Sequence, residues 1–495
     1  MTRRHLFRSG AGPRRHHGGM DTQPLYLRVA QHYRGAIRTG TLVPGERMPS
    51  VRTLTRLHQV SLSTALQACR SLEDEGLLEA RPRSGYFVRT PRRAAIAPVA
   101  EPELAALDAA QYVGIHDRVS NFVATSERHA VAVDFAAAYA SPEAYPAEPL
   151  KNAAIRALRH HPELLVTPVA SQGDPALRAV LARRALEAGM SLSPEDIVVT
   201  QGCIEALNIA LRAVANPGDT IAVESPTYYG LLQVLETLGL RALEIPTSPG
   251  TGLSVEALQL AFQTHGRIAA VVVMPHFQNP LGCVMPDAHK QRLVALCEQH
   301  AVPVIEDDTY GALTADDVPL KALKAWDRSG NVIYCASLRK TLAPGLRLGW
   351  ISGGRWQARV QMLKYAQSRA NEALSQMTTA EFMASSAYDR HLSRLRQRLK
   401  QQREQTAEAI AAYFPAGTRL SVPTGSLLLW VELPQRRSSQ ALFEQALAQG
   451  IRVAPGTLFS NSNRFDHFLR ISCGFTFSAQ AEQALRQLGQ MASAG

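Results

Sequence analysis

The chain has 495 residues, 46% of them hydrophobic, enough apolar surface for two or three folding units and too much for a disordered chain. Its six cysteines are scattered without paired or metal-ligand spacing and read as reduced thiols; no run reaches the roughly 18 apolar residues that span a bilayer, and the start lacks a signal peptide's apolar stretch. Neither secretion nor membrane insertion is expected, and a cytoplasmic protein is. The formal net charge of +11 is not spread evenly: the first 100 residues hold 17 arginines, no lysine and six acidic residues, which accounts for all of it. A basic head on a neutral body implies that the head meets a polyanion and the body does not.

In chain order, residues 1–20 read as a disordered basic extension, with Met20 as a second possible start. Even without its five arginines the head stays basic. Between Pro24 and Ile37, the spacing of Leu25, Val29, Ala36 and Ile37 predicts a helix stopped by Gly40. Pro44-Gly45 is a turn, Ser50 caps a second helix with Leu54 and Leu57 inward, and Ser61 caps a third through Leu66, Cys69 and Leu72 to Gly76. LLEARPRSGYFV then reads as two short strands. Three helices and a hairpin, the second and third helices almost touching in sequence, make a winged helix-turn-helix over residues 21–90.

Residues 91–115, with Pro91, Pro98 and Pro102, read as a linker, part of it helical. From 116 to 495 strand and helix signals alternate: DIVVT, a helix Cys203 to Val214, TIAVE, a helix Tyr229 to Leu238, RIAAVVVMP, a helix Asp287 to His300, VPVIEDD and NVIYCAS. This predicts an α/β, mainly parallel, doubly wound sheet that binds ligands at its strand ends. From about 390 to 495 a long charged helix, SLLLWVEL and HFLRISCG predict a smaller α+β subdomain.

The most specific stretch is SLRKTLAPGLRLGW, residues 337–350. It resembles the Schiff-base segment of fold type I enzymes dependent on pyridoxal 5'-phosphate. The resemblance implies Lys340 as the residue that binds the cofactor aldehyde, with Ser337 and Arg347 on its phosphate. It further implies, in IEDDTYGAL, Asp307 on the pyridinium nitrogen and Tyr310 on the phenolic oxygen, with Asn279 of MPHFQNPLG as a second contact to that oxygen. Asp308 is the rival to Asp307, but alternation along a strand sends it to the opposite face. TQGCIEALNIALRA resembles the strand, loop and helix whose amides take the phosphate, at Gly202, Cys203 and Ile204. Tyr228 of ESPTYYG would stack on the ring, and Arg470 of FLRISCG would grip an α-carboxylate. Each segment alone is an ordinary turn, packed aromatic or surface cation; their ordered set is not.

Residues 49–88 resemble GntR-type regulators, which implies DNA contacts at Ser50, Arg52, Ser61, Ser63, Thr64, Arg81 and Arg83. The two halves together resemble the MocR branch: a transcription regulator binding double-stranded operator DNA, dimeric, whose aminotransferase-like domain of fold type I senses pyridoxal 5'-phosphate or an amino acid or amine effector. The alternative is an active aminotransferase carrying a DNA-binding head, separated by turnover of amino acid with 2-oxo acid. Four positions depart from the pattern. Leu62 stands at the start of the recognition helix where Arg or Asn is usual; Ile204 replaces a hydroxyl near the phosphate; Arg339 replaces a small residue before the lysine; and Pro168 replaces a Tyr that relatives extend to the partner's phosphate.

Overall fold

The computed structural model describes residues 24–38, 41–43, 45–81, 84–89, 96–102, 108–315 and 318–494. The basic extension, Gly40, Pro44, Arg83 and Pro91 lie outside these. Internal contacts divide the chain at Pro91 into two units.

In the first unit, helices Leu25–Arg38, Val51–His58 and Leu62–Asp74 precede a hairpin of Leu78–Arg81 and Gly85–Val88, paired from Leu78 opposite Val88 to Arg81 opposite Gly85. Ser50 and Ser61 cap the second and third helices. Their hydroxyls accept from the Thr53 and Thr64 amides at 3.2 and 3.1 Å, satisfying N–H groups that no helical carbonyl reaches. Val29, Ala30, Tyr33, Leu54, Cys69, Leu72, Leu78 and Val88 fill the core. Two residues expected inside are not: Leu25 is 57% and Leu57 63% exposed. Leu25 is the first residue of its helix and projects past the packed stripe. On the second helix the position one turn after Leu54 belongs to His58, whose Nε2 lies 3.1 Å from the Tyr33 hydroxyl, and Leu57 is left facing outward.

In the second unit the main sheet runs Gln111–Tyr112, Arg241–Ser248, Thr220–Ser225, Ile268–Val273, Val304–Asp307, Val332–Ser337, Gly349–Ser352, Val198–Thr200, with Gly252–Leu253 folded back on Arg241–Ser248. The five strands from Arg241–Ser248 to Val332–Ser337 are parallel, and Gly349–Ser352 runs against both its neighbours. Alternation sends Ile221, Val223, Val272 and Ile305 against helices Cys203–Val214 and Tyr229–Thr237. Ala222, Val271, Val273 and Val304 go instead against helices Val255–Thr264 and Asp287–Gln299. Helices on both faces explain why the central strands are apolar throughout. Four strands of this sheet escaped the sequence reading: Gln111–Tyr112 and Gly252–Leu253 are only two residues long, Arg241–Ser248 is interrupted by Pro246, and Gly349–Ser352 is only four residues long.

The smaller subdomain is an antiparallel sheet in the order Arg419–Ser421, Leu428–Glu432, Phe468–Ser472, Ala454–Pro455, with helices Ser386–Tyr413, Ser439–Ala448 and Ala479–Ala494. Leu429, Val431, Leu469 and Ile471 face those helices. Trp430 points the other way into the core of the main sheet and stacks on Phe468, ring centroids 5.1 Å apart and planes 7° from parallel. The stretch read as a partly helical linker has no helix among its described residues. Gln111–Tyr112 forms a sheet edge, the Leu420 amide donates to the Ala97 carbonyl at 2.9 Å, and Val99 enters the main core at 8% exposure.

Trp430 is wholly buried where the two sheets meet, so Trp430→Ala is expected to destabilise the second unit by about 3–5 kcal/mol. Urea unfolding should show the midpoint of that unit falling while the head's is unchanged.

Candidate functional site

The carboxyl ends of the main strands surround a cavity of about 280 Å³. Strand Val304–Asp307 ends with Asp307 in it, and strand Val332–Ser337 ends with Ser337 and runs into Lys340. The loops after three other strands bring Gly202, Cys203 and Ile204, then Tyr228, then Asn279. Tyr310 and Arg347 complete the large-subdomain lining, and Arg470 enters from strand Phe468–Ser472 of the smaller subdomain. All eleven large-unit residues singled out in the sequence therefore face one space.

Asp307 is 5% exposed. One of its oxygens accepts from the Cys203 thiol at 3.2 Å, the Thr309 amide at 3.1 Å and the Thr309 hydroxyl at 2.6 Å. Burial raises its pKa above the usual carboxylate range, and the Thr309 and Cys203 hydrogen bonds oppose the rise. Its neighbour Asp308 lies on the opposite face. There it meets His276 Nδ1 at 2.8 Å and accepts from the Tyr334 hydroxyl at 2.7 Å, with Lys290 Nζ 2.9 Å from the far nitrogen of that imidazole.

The Lys340 amine donates to the Ala138 carbonyl and lies 5.5 Å above the Tyr310 ring centroid. Burial, then the positive charges of Arg339 and Arg470, lower its pKa to about 7. A lysine so placed offers an unprotonated amine near neutrality, which is the nucleophilic form. Arg470 donates to Asn279 Oδ1 at 3.1 Å and to the Ala136 carbonyl, while its Nε is buried with no partner.

Gly202 precedes helix Cys203–Val214 with φ +81°, a backbone angle suited to glycine. Against it sits Gly349, where a Cβ would fall 2.6 Å from the Ala336 carbonyl oxygen and 2.7 Å from the Gly202 backbone. The strand thus lies directly on the helix start, whose first-turn amides lack helical acceptors. Ser337 Oγ accepts from the Arg339 amide at 3.2 Å, and Arg347 is exposed at the rim.

Lining residues that the sequence reading did not single out include Thr309, Tyr139, Tyr229 and Arg452. Arg452 pairs with Asp134 through two hydrogen bonds, one of them 3.0 Å, across 318 positions of sequence, a separation no local motif reveals. Thr309 lies inside a quoted segment but resembles an ordinary turn residue there.

In the head, Ser50 and Ser61 are the helix caps described above, and the Ser63 and Thr64 hydroxyls each lie 2.8 Å from that of Ser61. Arg52 and Leu62 are exposed at the starts of their helices. Arg81 is less free: it donates to Glu79 at 2.8 Å and stacks 4.3 Å from the Phe87 ring centroid. Arg83 lies outside the described residues.

Comparison with known proteins identifies both parts. Residues 139–488 match the family of class I and II aminotransferases, and residues 25–88 match the bacterial regulatory proteins of the gntR family. The chain is 35% identical to the HTH-type transcriptional regulator YjiR of Escherichia coli (strain K12), covering 94% of this chain and 98% of that one. It is 34% identical to the regulator YdcR of the same organism, over 94% and 98% of the two chains. Among solved structures it resembles LysN, the α-aminoadipate aminotransferase of Thermus thermophilus, complexed with N-(5'-phosphopyridoxyl)-L-leucine. The TM-score is 0.70 and the identity 26%, over 75% of this chain and 94% of that one. Among the described residues, no helix is long and apolar enough to cross a membrane.

With its pKa near 7, the Lys340 amine should react with a small aldehyde under reducing conditions at a rate that rises as pH passes through about 7 and then levels off. Exposed lysines keep gaining rate toward about pH 10. Mass spectrometry of the peptide containing Lys340 gives the profile, and a midpoint near 10 would contradict the neutral amine.

Proposed function

The chain belongs to the MocR branch of the gntR-family regulators, a gntR-type head joined to a class I and II aminotransferase domain, and from that premise we propose that it regulates transcription by binding operator DNA through the head in response to pyridoxal 5'-phosphate and an amino acid or amine in the second unit. The observation that carries this reading is a lysine with a depressed pKa facing a buried carboxylate in one cavity, on a chain whose net charge lies wholly in its first 100 residues.

The cavity residues fit the cofactor. Asp307 is a buried carboxylate with its pKa raised by burial, and a ring nitrogen carrying a proton would supply the opposite charge that offsets the lost hydration. The phosphate is assigned to the amides at Gly202, Cys203 and Ile204 together with Ser337 and Arg347, the ring face to Tyr228, and the phenolic oxygen to Asn279 and Tyr310. When bound, the group supplies an electron sink for an amino compound. Lys340 presents its unprotonated amine to the aldehyde, Asp307 holds the proton on the ring nitrogen, and Arg470 orients a carboxylate through a fixed fork. Asn279 already bonds Arg470, so a carboxylate arriving there is sensed by a residue assigned to the cofactor.

The head supplies a polar first turn at Ser61, Ser63 and Thr64 and the exposed Arg52, suited to phosphate positioning and to base edges. A homodimer, placing two heads on two half-sites, belongs to the same reading.

Two outcomes test it. Operator DNA selected from a random pool should bind the cofactor-free, cofactor-loaded and amino-acid-loaded protein with affinities differing by about 5- to 150-fold at fixed salt, the range of couplings of roughly 1–3 kcal/mol. Residues 92–495 alone should not bind it. Identical curves for the three forms would leave the second unit as an enzyme or a scaffold. Arg470→Ala should weaken amino-acid binding to the loaded protein by about 2 kcal/mol or more in calorimetric titration; an unchanged affinity would place the ligand's carboxylate elsewhere.

A further inference from the structure

Five cations line the cavity, Arg339, Lys340, Arg347, Arg452 and Arg470, against one lining carboxylate, Asp307. Four of the five have a use. Arg452 is paired with Asp134, Lys340 and Arg347 are assigned to the cofactor, and Arg470 to a ligand carboxylate. Arg339 has none. Among the described residues no carboxylate lies within ion-pair distance of it, and its Nε is buried with no hydrogen-bond partner. Its guanidinium stands 5.3 Å from the Tyr139 ring centroid, so the aromatic face orients the fork. The charge of Arg339 reaches both the Lys340 amine and the Tyr310 hydroxyl, as does that of Arg470. Both arginines line the cavity that holds the attachment point.

A cation partly withdrawn from water and lacking an anion is unfavourable until something supplies one. The contrast with Arg452 is informative: where the fold brings a cation to this cavity for its own purposes, it supplies the carboxylate as well. We propose that Arg339 receives a second anionic group on the effector, which is therefore an α-amino acid with a carboxylate-bearing side chain, held at one end by Arg470 and at the other by Arg339. The assignment rests on the reading of Lys340 as the cofactor's attachment point. A neutral side chain of the same shape leaves Arg339 desolvated and unpaired, which is how a buried polar group rejects an isostere.

The test compares glutamate with glutamine, and 2-aminoadipate and aspartate with their side-chain amides, by calorimetric titration of cofactor-loaded protein at pH 8.5. Cofactor attachment is measured separately as the mass gained at Lys340 after borohydride reduction. For the best-fitting acid of the three, the wild type is expected to prefer acid over amide by at least about tenfold. Arg339→Gln should bring that ratio to within about threefold of unity while leaving the amide's affinity in place, and Arg339→Lys should restore part of the preference. Equal binding of acid and amide by the wild type overturns the proposal while leaving the cofactor reading intact. So does an Arg339→Gln variant that loses cofactor affinity but keeps the ratio, because Arg339 then serves the phosphate. Absence of mass gain at Lys340 overturns both.

Discussion

Two groups that water would keep charged, the Asp307 carboxyl and the Lys340 amine, are buried in one cavity without forming an ion pair. Removing either charge from water is unfavourable by several kcal/mol unless hydrogen bonds or an opposite charge replace the lost hydration. The chain replaces it partly, with Thr309 and Cys203 on the acid and the Ala138 carbonyl on the amine, and the remainder appears as a carboxyl pKa raised and an amine pKa lowered. Much of the surrounding architecture follows from holding these groups apart yet facing the same space. The parallel strands deliver their carboxyl ends to one edge, and Gly349 lets the antiparallel strand lie directly on the helix that starts after Gly202.

The pleat of strand Val304–Asp307 separates two consecutive carboxylates into unlike environments. Asp307 faces the cavity; Asp308 is tied to His276 and Tyr334, with Lys290 behind. His276 lies on the loop that carries Asn279, and the same loop is fastened at Met274, whose amide donates to Glu224 at 3.0 Å. The polar network on one side of the sheet thereby fixes a contact on the other side, and Asn279 passes that order to Arg470 of the smaller subdomain. Specific polar bonds of this kind define position more sharply than apolar packing does.

What could be read from the sequence was whatever chemistry lies within a single turn of chain. Ser337, Lys340 and Arg347 share one hairpin-like segment, held together because Ser337 pairs with Gly349 in adjacent strands, so their spacing carries their geometry. Asp307 could be told from Asp308 because strand alternation is a local rule. Arg452 with Asp134, and Arg339 against Tyr139, depend on tertiary packing, and no spacing announces them. Apolar character alone misplaced Leu25 and Leu57, since burial at a helix end depends on what lies beyond it. Ser50 and Ser61 show the converse limit: a residue type suited to DNA contact is equally suited to capping, and both hydroxyls are engaged as caps.

The attachment of Ala97 beside Arg419, with Val99 in the core, bears on how such chains are assembled in evolution. The proline-marked stretch after the head looks like a spacer to be cut anywhere, yet from Ile96 onward its described residues are structural parts of the second unit. A recombination event that exchanged one head for another therefore has a narrow seam, between the hairpin's end at Val88 and Ile96. A junction placed farther along would carry away an edge strand and a core valine, and the recipient would inherit a new head on a body missing part of its own sheet.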